Sequence, residues 1–196
     1  MSKLGKRTDQ RMAMLKNQVS ELLWYGQIET TVDRAKAVRS LAEKYITIAM
    51  RAYQDDVKVT KTVDGAKGTK QEVVFTNDGP KKLAARRRPM AELVDLKEVK
   101  GDKESKSAYK ARIKDTKHPL IEKIFKEYAP KYDARKNELG QGGGYTRILK
   151  TGNRRGDAAE TCILQLTINI LRCRLVFRED DDFLVLNACI FVQDML

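Results

Sequence analysis

Residues 142–160 read GGGYTRILKTGNRRGDAAE: three glycines, an alternating run, a turn-forming cluster and the start of a second apolar run. In an extended chain Tyr145, Arg147 and Leu149 fall on one side and Thr146, Ile148 and Lys150 on the other, so residues 144–151 are expected to form a strand. Asn153-Arg154-Arg155-Gly156-Asp157 is the turn, and residues 158–166 return with Cys162, Leu164 and Leu166 sharing a face. A phosphate-cradling loop needs GxxxxGK[ST] ahead of a helix, and a dinucleotide fingerprint needs glycine where Arg147 stands. Neither nucleotide motif is present. What remains is a glycine-led hairpin bearing Arg147, Lys150, Arg154 and Arg155, whose glycines, lacking side chains, let a polyanion backbone approach closely.

The segments before this hairpin are mostly helical. Met12, Leu15, Val19 and Leu22 recur at helical spacing and predict a helix over 8–25, capped by Thr8 or Asp9 and ended by a left-handed Gly26. Residues 27–30 suit a brief strand with Ile28 inward. Thr30 and Asp33 resemble a capping box opening a second helix over 32–52, whose Ala35, Val38, Ala42, Tyr45 and Ala49 form one stripe. Arg34, Lys36, Arg39 and Lys44 lie off that stripe. VKVTKTVDGAKGTKQEVVF (57–75) alternates on either side of Asp64-Gly65, a hairpin signal, and Asn77-Asp78-Gly79-Pro80 closes it as a turn. KKLAARRRPMAELVDL (81–96) is helical in character but interrupted by Pro89, which is expected to kink it or start a new turn. Residues 97–117 are lysine-rich and poor in core residues, as in a solvated helix or loop. Pro119 opens a helix with Leu120, Ile121, Ile124, Phe125 and Tyr128 inward, capped by His118 and ended by Pro130. Past Thr167, ILRCRLVF and FLVLNACIFV are strand-like runs separated by an acidic turn. There is no internal repeat.

Charge points to the class of partner. The 196-residue chain carries 39 Lys and Arg against 27 Asp and Glu, a net +12. From Thr167 onward three basic residues meet five acidic ones, so the residues before Thr167 carry +14 and any polyanion site lies there. Such an excess favours nucleic acid, because neutralising phosphates releases condensed counterions.

Catalytic and metal chemistry find little support. Cys162, Cys173 and Cys189 are odd in number and lack CxxC spacing, which indicates reduced thiols rather than a disulfide framework or a zinc site. Ser107-Ala-Tyr-Lys110 matches SxxK and Lys150-Thr151-Gly152 matches KTG, but the SDN element of serine acyl enzymes is missing and Ser107 lies in a polar lysine run. With His118 the sole histidine, no multi-histidine metal site forms, and Asp180-Asp181-Asp182 reads as a solvated turn. No catalytic residue, metal site or cofactor is expected. The start, MSKLGKRTDQR, has no apolar signal-peptide core, and no apolar run reaches the roughly 18 residues of a membrane span. A cytoplasmic protein is expected.

An RNA surface accounts for more of the pattern. Basic residues cluster at Lys3, Lys6 and Arg7, on the outer face of the first helix at Arg11 and Lys16, at Arg86, Arg87 and Arg88, and on the hairpin at Arg147, Lys150, Arg154 and Arg155. Arginine forks suit phosphate bidentately, and most contacts of this kind go to backbone.

RTDQRMAML at 7–15, IETTVDRAKAVRSLAEKYITIA at 28–49, and GGYTRILKTGNRRGDAAE with the closing ILQL together resemble the bacterial large-subunit ribosomal protein L17 family. The likeness spans most of 3–52 and 120–166, in order. It implies an α+β fold of two layers: a small mixed sheet of about three strands, from segments near 27–30, 145–151 and 159–166, packed by about four helices. It also implies a ribosomal protein domain over 1–166, with an inserted hairpin and loops near 54–82 and 97–117, and an atypical C-terminal extension over 167–196. The family begins with a longer basic arm containing His-Arg-Lys, here reduced to Met-Ser-Lys-Leu-Gly-Lys-Arg. For the extension an added hairpin, a partner-binding strand and a non-native translated segment all stand open. The implied role is a non-enzymatic constituent of the large subunit of the cytoplasmic ribosome. It would bind 23S-type rRNA beside neighbouring ribosomal proteins, with no membrane and no small-molecule substrate. By position, the basic residues above and Tyr145 would be its RNA surface. A free-standing regulatory protein binding nucleic acid on the same scaffold is the alternative.

Overall fold

Leu15, Val19, Leu22 and Leu23 on one helix share a buried cluster with Ala35, Val38, Ala42, Tyr45, Ile46 and Ala49 on the next. These helices are α1 (Thr8–Tyr25) and α2 (Val32–Met50) of the computed structural model, which describes residues 3–64, 70–114, 116–140 and 142–167. The expected α2 stripe is buried throughout, and alanine at three of its positions lets backbones approach closely. Gly26 ends α1 at φ +83°, its N–H on the Leu22 carbonyl at 2.9 Å, as the sequence requires. The helix starts differently from expectation. Thr8 is already helical, the cap position belongs to Arg7, and no side chain caps it. Nor does the capping box form: Thr31 precedes α2, and the Thr30 hydroxyl instead accepts a hydrogen bond from Gln18 Nε2 at 3.3 Å.

Gly26 leads directly into β1 (Gln27–Thr31), which pairs with β5 (Glu160–Leu166); β5 in turn pairs with β4 (Thr146–Asn153). Both pairings are antiparallel, where a mixed sheet was expected. The short turn between β4 and β5 permits no other arrangement, and β1 meets β5 in the opposite sense as well. Register places Ile28 and Ile148 opposite Leu164, and Thr30 opposite Cys162, on the face covered by the helices. Arg147, Leu149, Ile163 and Gln165 share the other face. A bulge between Lys150 and Gly152, the latter at φ +117°, ends the regular pairing near the tip.

β2 (Asp56–Asp64) and β3 (Lys70–Asp78) form a separate two-stranded antiparallel sheet, the hairpin expected around Asp64-Gly65, but Asp64 pairs with Lys70, a wider register than a two-residue Asp-Gly turn would set. Its base is tied to α3 (Pro80–Glu92): the Asp55 carboxylate accepts the Lys81 N–H at 2.9 Å, capping that helix from outside. Glycine is needed at 79, since a Cβ there would lie 2.4 Å from the same carboxylate. Pro89 does not break α3. The helix runs on for three residues to Glu92, without the bond that an N–H at 89 would have donated, and ends with the Leu93 N–H on the Pro89 carbonyl at 2.8 Å.

A short α4 (Lys106–Ile113) lies in the lysine-rich segment, capped by Ser105 through the Ala108 N–H. After it, α5 (Pro119–Lys123) passes through a π turn (Ile124–Tyr128) into α6 (Ala129–Leu139). Leu120, Ile121, Ile124, Phe125 and Tyr128 are buried, as their spacing predicts. The helix does not stop at Pro130, however. The Ala129 N–H reaches back five residues to the Ile124 carbonyl, and this widened turn accommodates a residue with no N–H to donate. His118 holds the cap position of α5 without a side-chain cap bond; its ring meets Asp95 at 3.1 Å. The strand-like runs and acidic turn expected beyond Thr167 lie outside the described residues.

Candidate nucleic-acid interface

The tip of the β4–β5 hairpin is built from backbone outward. Arg154 N–H donates to the Ala159 carbonyl and Ala158 N–H to the Arg154 carbonyl, each at 3.0 Å, closing the turn. Ala158 takes φ +52°, a left-handed conformation rare for a residue with a Cβ. Across the turn the Asp157 carboxylate accepts Arg154 Nε at 2.9 Å and Nη2 at 2.5 Å. These hydrogen bonds, with a further one from the Ala159 N–H, hold the Asp157 carboxyl down to about 2. Arg155 is exposed and has no carboxylate partner among the described residues. Along β4, Arg147 stands exposed on the sheet face away from the helices, while Lys150 pairs with Glu160 at 3.3 Å.

The glycines ahead of β4 serve the fold. Gly143 and Gly144 sit at φ +107° and +61°, and their carbonyls face Arg135 of α6. Arg135 Nη1 also donates to the Thr167 carbonyl and hydroxyl, at 3.2 Å each, so one guanidinium ties the strand's entrance to the chain leaving β5. Tyr145 is only 6% exposed. Its ring packs edge-on against Tyr132 at 4.9 Å between centroids, and it cannot stack on a base. This corrects its expected place in the RNA surface: the regular strand begins only at Thr146, and Tyr145, one residue ahead of it, belongs to the buried cluster.

The remaining cations divide in the same way. Lys3, Lys6 and Arg7 are exposed at the chain start, Arg7 paired with Asp9 at 3.3 Å, and with Arg11 they line one open groove. Arg86 turns inward, its side chain 19% exposed. It donates to Asp78 at 2.5 Å and to Glu122, and lies over the Phe125 ring, so it joins the second hairpin, α3 and α5 rather than facing solvent. Arg87 remains exposed. Arg88 belongs to a grouping the sequence did not disclose. Glu92 is hydrogen-bonded by Tyr45, and that bond, together with the fields of Arg88, Lys16 and Lys44, holds its carboxyl below the usual range. Thus α1, α2 and α3 bring three cations around one carboxylate. Lys44 could be seen in the sequence only as a residue off the α2 stripe, and Arg135 gave no signal at all.

The serine-enzyme motifs do not become a site. Ser107 is exposed on α4 with its hydroxyl on Ser105, and the lysine of KTG is the ion-paired Lys150. Among the described residues no group of three or more His, Cys, Asp or Glu side chains is placed to hold a metal, and no helix is long and apolar enough to cross a membrane.

A family model described as ribosomal protein L17 matches residues 14–167. The chain belongs to the ribosomal protein L17 family. The L17 match begins within α1 and ends one residue past β5, so it takes in the whole three-stranded sheet and the arginine-bearing tip. Relatives named "Large ribosomal subunit protein bL17" are similar over most of their length. That of Lachnospira eligens is 38% identical across 84% of this chain and 97% of the relative. Those of Clostridium tetani and Acetivibrio thermocellus are 37% and 36% identical, across 84% of this chain and 95% and 97% of theirs. The residues past Thr167 fall outside the L17 match.

Proposed function

We propose that the chain works as a non-enzymatic constituent of the large ribosomal subunit, binding and stabilising large-subunit rRNA in support of translation. The observation that carries the binding surface is the β4–β5 tip, where Arg155 stands exposed beside an Arg154 held in a fixed turn. Arg147 on the outer sheet face extends this surface. Lys3, Lys6, Arg7 and Arg11 at the chain start, and Lys16, Lys44, Arg87 and Arg88 at the junction of the first three helices, supply further positive charge for phosphates. Arg86 is committed to Asp78 and Glu122, Tyr145 to the core, and both are left out. Residues 1–166 form the ribosomal domain, with 54–82 and 97–117 as insertions. The separate pairing of β2 with β3 supports the first of these, and neighbouring large-subunit proteins are the further partners.

Co-sedimentation with large subunits at moderate salt tests the assignment; recovery only in the ribosome-free fraction would instead mark a free-standing RNA-binding protein. At residue level, Arg154→Ala with Arg155→Ala weakens rRNA binding. It also lowers the slope of log affinity against log salt by about one unit for each phosphate the pair no longer neutralises. An unchanged slope would remove the tip from the interface.

A further inference from the structure

We propose that Asp157 is a positioning residue for RNA binding: an acidic side chain on an anion-binding tip that strengthens the grip on RNA backbone by fixing the arginines beside it. The inference rests on the RNA reading above. Considered as charge alone, a carboxylate at this place repels phosphate, and its removal should tighten binding. The geometry argues the opposite. Arg154 meets Asp157 through Nε and Nη2, a fork that leaves Nη1 free for a phosphate oxygen. The same carboxylate accepts the Ala159 N–H at 3.3 Å. It therefore binds both ends of a turn whose backbone is otherwise closed only by the two bonds between Arg154 and the Ala158–Ala159 segment. Ala158 at φ +52° makes that turn one the chain does not adopt by preference. Both side chains are more than half exposed, so packing does not hold them; the fork does. An arginine fixed in advance loses less rotamer freedom when it meets its ligand than one free to move. Arg155, the next residue, takes its direction from the same turn.

The test titrates the full chain against deproteinised large-subunit rRNA at several salt concentrations, comparing wild type, Asp157→Asn, Arg154→Ala and the double variant. Asp157→Asn, although it adds a unit of positive charge, is expected to weaken binding about three- to tenfold, the effect of freeing one or two long side chains. In the Arg154→Ala background the same change should leave affinity unchanged or raise it, because the fork is already gone. That reversal of sign is a readout that general loss of structure would not produce. Tighter binding by Asp157→Asn in the wild-type background would overturn the proposal. If Asp157→Asn does not fold, Asp157→Glu keeps the charge and displaces the carboxylate by one methylene; weaker binding supports positioning and wild-type affinity refutes it. Should removing Arg154 and Arg155 together leave affinity unchanged, the tip's place in the interface fails. Should that pair matter while Asp157→Asn tightens binding, only the positioning role fails.

Discussion

Arg86 and Tyr145 carry side chains with a ready use in RNA binding, and both are committed elsewhere. Arg86 neutralises Asp78 and Glu122 from two different elements, so Arg86→Ala removes the cation the two half-buried carboxylates share and leaves Asp78 with Lys82 alone and Glu122 with Lys126 alone. The loss is expected to be about 1–3 kcal/mol of stability, measured by urea unfolding. Tyr145→Ala empties the space beside Tyr132 and costs about 3–5 kcal/mol by the same measurement. For both variants the folded protein should keep the wild-type salt slope for rRNA. A reduced slope with intact stability would return them to the interface. These outcomes contrast with Arg154 and Arg155, whose replacement should alter the slope and leave stability nearly untouched. Residue type alone, arginine or aromatic, therefore does not separate interface from core; the carboxylate or ring it meets does.

At the scale of elements, the entrance to β4 is the joint that sets where the arginine-bearing tip points. Three carbonyls and one hydroxyl converge on Arg135, which also lies over the Tyr132 ring at 6.0 Å. Only a planar guanidinium presents enough donors in fixed directions to hold them together. Arg135→Ala is expected to raise amide hydrogen exchange at the β4 entrance and at Thr167, while the α1–α2 core keeps its protection; Arg135→Lys should restore little of it. Uniform exchange across both regions would refute the joint. The second hairpin is anchored in a similar way, through Asp55, Lys82 and Arg86 at its base. Its exposed Val57, Val73 and Phe75 lie beyond those anchors. Here ion pairs and a helix cap, not an apolar core, attach the strands to the body.

For the molecule as a whole, the pH limits of stability are set by buried tyrosines at the alkaline end and by paired carboxylates at the acid end. Tyr45, Tyr128 and Tyr132 are pushed above the ordinary tyrosine range, first by burial, Tyr128 to about 12. A group raised on folding contributes stability fully below its unfolded value, about 10, and loses it as pH climbs through the folded value. Unfolding in denaturant, followed by tyrosinate absorbance, should show stability falling above about pH 10. At the acid end Asp78 and Glu92 are held low. For Asp78, burial opposes the shift but Arg86 and Lys82 outweigh it; for Glu92 the Tyr45 hydrogen bond leads. Their contribution is present above the ordinary carboxylate value, about 4, and disappears as pH falls below it. Between those limits the curve should be nearly flat; a steep slope near neutrality would contradict both assignments.

The amino-acid sequence by itself determined the parts whose physics is local. Helical spacing marked the buried stripes of α1, α2 and of α5 with the π turn after it, Gly26 marked a helix end, and alternation marked both hairpins. Each depends on repeats within one element and on backbone freedom at single residues. The sequence also marked the family, through motifs carried in order along the chain. Tertiary structure alone decided which cations remain available. Arg86 is withdrawn by carboxylates 8 and 36 residues away, Arg135 by a carbonyl 32 residues on, and Lys16 and Lys44 are brought from two other helices to the Arg88–Glu92 pair on α3. Arg88 and Glu92 stand four apart on one helix and can be paired from the sequence, but an ion pair between elements has no sequence period, and its partner is fixed only when the core has brought those elements together.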